Sequence, residues 1–358
     1  MKRTCLSIVM STAFAFALCS ACFGQTVVLR NAEKIKFPAW TDCNSPAHWH
    51  GNTMYLFNSA GHPERSNGPD QFHLGNTVKG VFDDVMHGGR WIECTWKNDD
   101  GVLYGWYHHE PGGMYPGNNL TAPKIGAVRS TDNGLNWKDL GIVLEARPDS
   151  FHPEAKNGYF TGGNGDFYAM LDKDKKHLYI FFSAYAGDIT EQGVAIARMD
   201  WKDRDIPVGK VWKYFNGKWN EPGVGGRLTP IFQVKVNWVE ENTDAFWGPS
   251  IHWNTYLKQY VILMNHAFGP NWKPEGVFIT YNKNLANPKG WSEPYKIFNA
   301  GGMYCQMIGV DTKAKETDKL CGKQGRFYLA GNSNHEIIFL KEGEDPSVMP
   351  PVYVPENK

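Results

Sequence analysis

The amino-acid sequence predicts an all-β protein folded as a five-bladed β-propeller, because three strand signals recur along it. A short aromatic strand that ends in a small or polar residue occurs five times. Glycine-led strands follow several of these copies, and segments that begin with Trp follow in turn. Packets of short strands repeated every several tens of residues are typical of propeller blades, in which radial repetition protects the strand edges. The five copies of the first signal are Met54–Ser59, Leu103–His108, Leu178–Ser183, Tyr260–Asn265 and Arg326–Gly331.

Strands before and after this repeated signal complete each packet. The segments before it are the candidate innermost strands, Asp42–Trp49, Trp91–Trp96, Gly165–Met170, Asp244–Trp253 and Tyr304–Ile308. The later strands are Gly126–Ser130, Gly193–Arg198 and Gly276–Tyr281, and then the Trp-led Trp137–Leu140, Trp219–Pro222 and Trp291–Pro294. A large β-sandwich is the rival fold, but its strands need not come in similar packets. No linker composition divides the chain, so we expect one propeller domain over residues 25–358.

One predicted turn has a sequence pattern of its own. Ser130–Trp137 follows the pattern Ser-x-Asp-x-Gly-x-x-Trp and resembles the Asp box of sialidase-type propellers. The resemblance implies a β-turn at Asp132 and Gly134, with Trp137 packed into the blade. The motif therefore supports the fold and says little about chemistry.

The composition describes a folded protein with no overall preference for polyanions. Of the 358 residues, 42% are hydrophobic and 14% are aromatic, and 37 basic side chains balance 37 acidic ones. A net charge of zero provides no overall field for holding phosphate backbones. Nucleic acid is therefore not expected as a partner.

The beginning of the chain has the composition of an export signal. Lys2 and Arg3 precede an apolar run, and small residues follow that run. We expect residues 1–24 to be a signal peptide and the mature protein to be secreted or periplasmic. Cys19 and Cys22 leave a lipoprotein form open. No later stretch is long and apolar enough to predict a transmembrane segment.

Four cysteines follow the leader, and export would place them in a compartment where disulfides form. Sequence cannot choose among the three pairings, although a bond between Cys305 and Cys321 is favoured because both lie in one repeat. No closely spaced set of Cys and His residues indicates a metal site. The four cysteines are Cys43, Cys94, Cys305 and Cys321.

Carboxylates recur near the starts of the predicted innermost strands. In an antiparallel four-stranded blade, the start of the innermost strand and the end of the second strand open on one face, around a central funnel. Any one of these acids could cap a strand or form an ion pair, but four at equivalent places favour a site. Opposed carboxylates supply the acid and base of glycosidic bond cleavage. The candidate catalytic residues are Asp42, Glu93, Asp166 and Asp244.

Polar and aromatic side chains at the same end of the blades predict a carbohydrate substrate. Sugar rings stack on aromatic faces, and sugar hydroxyls need polar partners. The candidate substrate-binding residues are Asn44, His62, Arg65, His108, His109, Glu110, Tyr185, Trp247, His266 and Gln306. No cofactor is expected. His48 and His252 could hold a cation or water in the central channel, although packing on the inner strands is the favoured alternative. We expect a monomer.

The spacing of Asp42, Asp166 and Asp244 on such blades resembles the five-bladed propeller glycoside hydrolases, the arabinanase and xylosidase families 43 and 62. The stretches Asp42–Trp49 and Gly163–Asp166 are also similar to the bacterial family named domain of unknown function 4185. The resemblance implies that Asp42 is the general base. It implies that Asp166 tunes pKa and orients the sugar, and that the reaction inverts the anomeric centre.

The resemblance also implies a Glu as proton donor, at the place where this chain has Asp244. The shorter side chain reaches about one methylene less far, so Glu93 or Glu110 could serve instead.

We therefore expect a secreted glycoside hydrolase that cleaves plant or microbial polysaccharide, with arabinose-containing polymers among the candidate substrates. Two alternatives stay open. A non-catalytic propeller would bind glycan or protein at the same funnel. A polysaccharide lyase would use Tyr185 or His109 as its base.

Overall fold

Five mainly antiparallel sheets make up the protein, whose computed structural model describes residues 25–299 and 301–355. Each sheet is one blade, so the predicted five-bladed propeller is confirmed. The predicted leader, residues 1–24, lies outside the described residues. Three short 3₁₀ helices lie between strands, at Pro148–Ser150, Ile189–Glu191 and Trp201–Asp203.

The strands are assigned to blades as follows. The first strand, β1 (Gln25–Lys36), belongs to blade 5. Blade 1 contains β2 (Ala47–His50), β3 (Thr53–Ser59), β4 (Pro63–Gly68) and β5 (Val78–Lys79). Blade 2 contains β6 (Val81–Phe82), β7 (Gly88–Lys97), β8 (Leu103–Pro111), β9 (Lys124–Ser130) and β10 (Asn136–Leu144). Blade 3 contains β11 (Asn164–Leu171), β12 (His177–Ala184), β13 (Gly193–Asp200), β14 (Val211–Phe215), β15 (Lys218–Pro222) and β16 (Phe232–Gln233).

The last two blades share an edge through a short strand. Blade 4 contains β17 (Asn242–Asn254), β18 (Gln259–Pro270), β19 (Pro274–Asn282) and β20 (Tyr295–Asn299). Blade 5 contains β21 (Cys305–Gly309), β23 (Gln324–Leu329) and β24 (Asn332–Lys341). Between β21 and β23 the chain forms β22 (Leu320–Cys321), which pairs in parallel with β17 of blade 4.

The two ends of the described chain meet in blade 5 and close the ring. β1 pairs with β24 as the outermost strand, from Gln25 opposite Lys341 to Lys36 opposite Asn332. The N-terminal strand therefore completes a sheet whose other strands come last in the sequence.

The innermost strands are β2, β7, β11, β17 and β21. Each begins at the same end of the propeller axis, which we call the upper end, and each finishes at the opposite, lower end. Aromatic and aliphatic side chains fill the space between neighbouring blades, with Tyr168, Phe181 and Ile196 fully buried in the largest cluster. Such radial packing fixes the axis and the positions of the side chains at either end of it.

The Asp box forms the turn that its pattern predicts. Asp132 Oδ1 accepts the backbone N–H groups of Leu135 and Asn136, and Ser130 Oγ accepts that of Gly134. Trp137 is 1% exposed and packs near Phe57 of blade 1. The motif thus joins two blades.

Two expectations are wrong. Trp291–Pro294 is not a strand, because β20 begins only at Tyr295. Cys305 and Cys321 are not bonded: both are buried free thiols, as are Cys43 and Cys94. The cause is that Cys305 lies in β21, whereas Cys321 lies in β22 beside blade 4. Among the described residues, no helix is long and apolar enough to cross a membrane.

Candidate active site

Two β-bulges aim acidic side chains at the propeller axis. The pairing of β7 with β8 slips at Glu93, and that of β11 with β12 slips at Asp166. A bulge re-aims its extra residue out of the ordinary strand alternation. Asp166 has a φ of 38°, which is strained for a non-glycine residue. The preceding Gly165 is required, because a Cβ there would lie 2.5 Å from Cε1 of His108.

Glu93, His108 and Asp166 form a buried cluster near the upper end of the axis, and each is at most 5% exposed. Nδ1 of His108 lies 3.3 Å from Glu93 Oε1 and 3.0 Å from the backbone nitrogen of Asp166. A neutral ring accepts the Asp166 N–H at Nδ1, whereas a protonated ring donates to Glu93. Glu93 Oε2 accepts the N–H of Phe167 at 2.9 Å, and Asp166 Oδ2 accepts the hydroxyl of Tyr185.

Burial governs the protonation of this cluster. It raises the pKa of Glu93 to about 7 against the opposing effect of His108, and it raises the pKa of Asp166. Burial alone would lower the pKa of His108, but hydrogen bonds to Glu110 and Glu93 raise it well above its usual value. A carboxyl and an imidazole with raised pKa values can hold a proton near neutral pH.

Asp42 precedes β2 and is exposed to solvent along one side. Its backbone N–H donates to the carbonyl of Ser59 at 2.9 Å, which fixes it at the end of β3. Desolvation by the surrounding protein, and then the charges of Asp166 and Glu110, raise the pKa of Asp42 to about 6. A hydrogen bond from Tyr304 acts in the opposite direction. Asp42 is therefore a carboxylate that gains and loses its proton near pH 6.

Glu110 connects the buried cluster with solvent. Its Oε1 lies 3.1 Å from Nε2 of His108, on the side of the ring away from Glu93, and its side chain is 33% exposed. Glu93, His108 and Glu110 form a chain from the interior to the surface, along which a proton can move.

An aromatic wall stands beside these groups. The ring of Trp272 packs 5.5 Å from those of both Tyr185 and Trp247, and Trp247 makes an edge contact with Tyr304 at 5.6 Å. Tyr159 lies 5.1 Å from Trp272 and is 45% exposed. Its ring offers a face on which a sugar can stack.

Asp244 belongs to a different set of contacts. Its Oδ1 lies 3.2 Å from Nε2 of His266 and 3.6 Å from Nζ of Lys235, and Nδ1 of His266 lies 2.8 Å from Glu275. The bulge of β17 comes after Trp247, so Asp244 precedes the position that corresponds to Glu93 and Asp166. The predicted residues Asp244 and His266 thus pair with each other. Their other ion pairs, with Lys235 and Glu275, involve no residue of the Glu93 cluster.

Asn44 and Gln306 lie on the axis and hold the blades together. Nδ2 of Asn44 donates to the carbonyls of Phe167 and Pro249 at 3.1 and 3.0 Å. Gln306 exchanges two hydrogen bonds with the backbone of Ser45. Both side chains are 1% exposed, so their described contacts are with protein.

Three other predicted binding residues have partners away from the cluster. His62 lies 3.4 Å from Glu64, and Arg65 donates to two carbonyls of the Asp-box turn. His109 Nδ1 lies 2.9 Å from the carbonyl of Gly89. The structure brings His108, Glu110, Tyr185 and Trp247 to the site, and the binding role of every predicted residue stays a prediction.

Sequence reasoning missed Tyr304, which has a φ of 55° and donates to Asp42. Tyr304 directly precedes β21, the innermost strand of blade 5, and Asp42 likewise lies before β2, the innermost strand of blade 1. This position before an innermost strand is the sequence signal that could have identified Tyr304. Tyr159 lies outside the strands and gave no signal.

The Glu93 cluster also has the geometry of a small cation site. One donor atom each from Glu93, His108 and Asp166 lies within 4.8 Å of the others. However, both ring nitrogens of His108 already face protein atoms, so a cation would have to displace one of these contacts.

Comparison with known proteins establishes the fold. No protein-family profile matches the chain, and neither does any curated protein. A thermostable family-43 glycoside hydrolase superposes with a TM-score of 0.51 at 11% identity, covering 89% of this chain and 99% of that one. The α-L-arabinanase of Cellvibrio cellulosa, complexed with arabinohexaose, gives 0.52 at 12% identity, covering 88% and 96%.

Longer enzymes also match. For the exo-β-1,3-galactanase of Clostridium thermocellum the TM-score is 0.44 at 11% identity, covering 86% of this chain and 62% of that one. This chain therefore spans less than two thirds of that galactanase. The two superpositions with TM-scores above 0.5 confirm the expected resemblance to five-bladed glycoside hydrolases, and at these identities what the protein shares with them is the propeller fold.

Proposed function

We propose that the protein hydrolyses glycosidic bonds at the upper end of the axis, with Asp42 as general base and Glu110 as proton donor. The observation that carries this proposal is the pair of solvent-accessible carboxylates above the buried Glu93, His108 and Asp166 cluster. An exposed base and an exposed acid are what hydrolysis of an acetal requires.

Asp42 would activate the attacking water. The water oxygen bonds to the anomeric carbon while its proton passes to the Asp42 carboxylate. The bond from that carbon to the leaving oxygen breaks, and the leaving oxygen takes the proton of Glu110. Resemblance to inverting families supports a product of inverted configuration, which NMR of the first-formed anomer would test.

Glu110 is the donor in preference to Asp244 because it contacts His108. After each turnover Asp42 releases to solvent the proton it took from water, and Glu110, whose side chain is 33% exposed, takes a proton from solvent while the contact with Nε2 of His108 holds it in place. Asp166 acts as a positioning residue, since its charge raises the pKa of Asp42 and its carboxylate holds Tyr185.

A lyase is less well supported. Burial and the neighbouring Asp166 raise the pKa of Tyr185 well above its ordinary value, which makes its hydroxyl a poor base. His109 is held by the Gly89 carbonyl. Absence of an ultraviolet-absorbing unsaturated product on uronate polymers would remove this alternative.

The proposed substrate is a plant or microbial polysaccharide, met outside the cytoplasm. The leader-like first residues support export, and similarity to an arabinanase supports arabinose-containing polymers. The direct test is reducing-end release from arabinan, arabinoxylan, galactan, rhamnogalacturonan and bacterial glycans, with Asp42→Asn and Asp166→Asn as companions. Release that is lost in Asp42→Asn and reduced in Asp166→Asn supports a hydrolase. Binding without release from any polymer would favour a non-catalytic propeller instead.

The pH dependence should report Asp42. Because the base must be ionised, the acid limb of kcat/KM is expected to fall about tenfold per pH unit below a midpoint near pH 6, and the profile should turn down again at higher pH, where the proton donor is ionised. In Asp166→Asn the residual activity should show a lower midpoint, since a charge that raises the pKa of Asp42 is removed. An unchanged midpoint in that variant would contradict the assignment.

Chelation should leave turnover intact. Dialysis against EDTA is expected to leave kcat unchanged, because the proposed steps need carboxylates and water only. Loss of activity that added Ca²⁺ or Zn²⁺ restores would instead assign a cation to the Glu93 cluster.

A further inference from the structure

A cavity of about 360 Å³ lies at the lower end of the axis, opposite the candidate active site. That volume is within the range of small-ligand sites. Innermost strands of four blades contribute their last residues to its lining, among them the half-buried indoles of Trp49, Trp96 and Trp253. Aromatic faces therefore converge there from three blades.

This cavity continues into two neighbours. A cavity of about 450 Å³ shares Trp49 and Lys315 with it, and one of about 350 Å³ shares Lys173 and Tyr260. We call the three together the lysine groove. It crosses the lower end of the propeller and has room for more than one sugar ring.

The lysine groove has a strong excess of positive charge. Nine lysine or arginine side chains and three aspartates line it, although the whole protein has zero net charge. Among the described residues, no carboxylate forms an ion pair with Lys97, Lys173 or Lys315. Lys97 donates to the Gly101 carbonyl and to Asn133 Oδ1, and Lys315 donates to Asn52 Oδ1, but these partners are neutral, so the charge of all three lysines can attract an anionic ligand.

Two of these lysines cover tryptophan faces. Nζ of Lys173 lies 3.2 Å from the ring centroid of Trp253, and Nζ of Lys315 lies 4.4 Å from that of Trp49. An exposed ammonium that is held by a ring face, with at most one neutral hydrogen bond such as the one from Lys315 to Asn52 Oδ1 at 3.1 Å, is weakly fixed. A sugar ring that stacks on the indole can displace it, and the displaced ammonium can then pair with an anionic group on the same sugar.

A buried hydroxyl gives independent support. Thr95 lines the cavity of about 360 Å³ and is 0% exposed. Its Oγ1 has no hydrogen-bond partner among the described residues. A buried polar group without a partner is costly, so a ligand or water in the cavity is expected to satisfy it. The neighbouring His48 stays neutral, because burial and then the charges of Lys97 and Lys319 lower its pKa well below the usual value.

We propose that the lysine groove binds an acidic saccharide, whose rings stack on Trp49 and Trp253 and whose carboxylates or sulfates pair with Lys97, Lys173 and Lys315. Indole faces suit the C–H face of a pyranose, and zero net charge argues against a nucleic-acid backbone as the ligand. The site is distinct from the carboxylates at the upper end, so it does not depend on the hydrolase proposal.

The test is calorimetric titration of the full chain with four probes at low salt. They are hexagalacturonate, a heparin-derived hexasaccharide, neutral maltohexaose and oligothymidylate. At least one acidic saccharide should bind about tenfold or more tightly than maltohexaose, with affinity that falls as salt rises. The first two probes distinguish carboxylate from sulfate.

Variants locate the binding. Lys173→Ala combined with Lys315→Ala should weaken the bound acidic probe about tenfold or more, since two charge-assisted contacts are lost. Lys138→Ala combined with Lys218→Ala removes the same charge from exposed positions on outer strands and should leave affinity unchanged. Failure of both acidic saccharides to bind, equal loss in the two double variants, or tighter binding of oligothymidylate would overturn the proposal.

Discussion

Asp42→Asn is expected to lower kcat on the cleaved polysaccharide by about 10³-fold, within the range that general-base catalysis supplies. The amide nearly matches the carboxylate in shape and can still accept the hydrogen bond from Tyr304. It cannot take a proton from the attacking water. Substrate affinity should therefore persist, and calorimetric binding of the uncleaved polymer measures it.

A surface control separates chemistry from charge. Asp149→Asn removes the same charge from a side chain that is 79% exposed, where its contact with Arg147 contributes little. We expect wild-type kcat in this control. If Asp42→Asn kept more than about a tenth of wild-type kcat, Asp42 would not be the base.

Glu110→Gln should show a loss that depends on the leaving group. On polysaccharide, whose leaving alkoxide needs a proton, we expect kcat to fall by about 10²- to 10³-fold. On a dinitrophenyl glycoside of the same sugar, which leaves without protonation, the fall should be less than about tenfold. The ratio of the two losses identifies a proton donor in a way that a structural defect would not reproduce.

Asp244→Asn is the matched comparison for Glu110→Gln, because the family resemblance places the proton donor at Asp244. Since Asp244 pairs with His266 and Lys235, we expect similar kcat changes on both substrates. A leaving-group-dependent loss in Asp244→Asn, with none in Glu110→Gln, would transfer the donor role to Asp244.

The sequence predicts the blades well because each strand signal is local. Innermost and second strands are nearly continuous runs of buried residues, as in β11 and β12, and the Asp box closes its own turn through side-chain hydrogen bonds within a few residues. Cross-strand register is not local. Whether a carboxylate points along the axis depends on where a bulge falls, and pairing with the next strand decides this.

Asp244 and Glu93 show the difference this makes. Both stand near the start of a predicted innermost strand, but the bulge includes Glu93 in blade 2 and falls beyond Asp244 in blade 4. The sequence identifies Glu93, His108 and Glu110 as candidate site residues. It does not show that His108 lies between the two glutamates and contacts both. The tryptophans at the lower ends of the innermost strands were likewise visible, but only the assembled ring brings them to one cavity.

Ring closure by β1 has a consequence for a chain that is being synthesised. The first described strand to leave the ribosome finds its partner only when residues 332–341 have followed it. Until then two strand edges carry unpaired N–H and C=O groups, which are templates for pairing with another copy. A chain that stops before residue 332 therefore has no smaller closed ring to adopt, and we expect such fragments to aggregate.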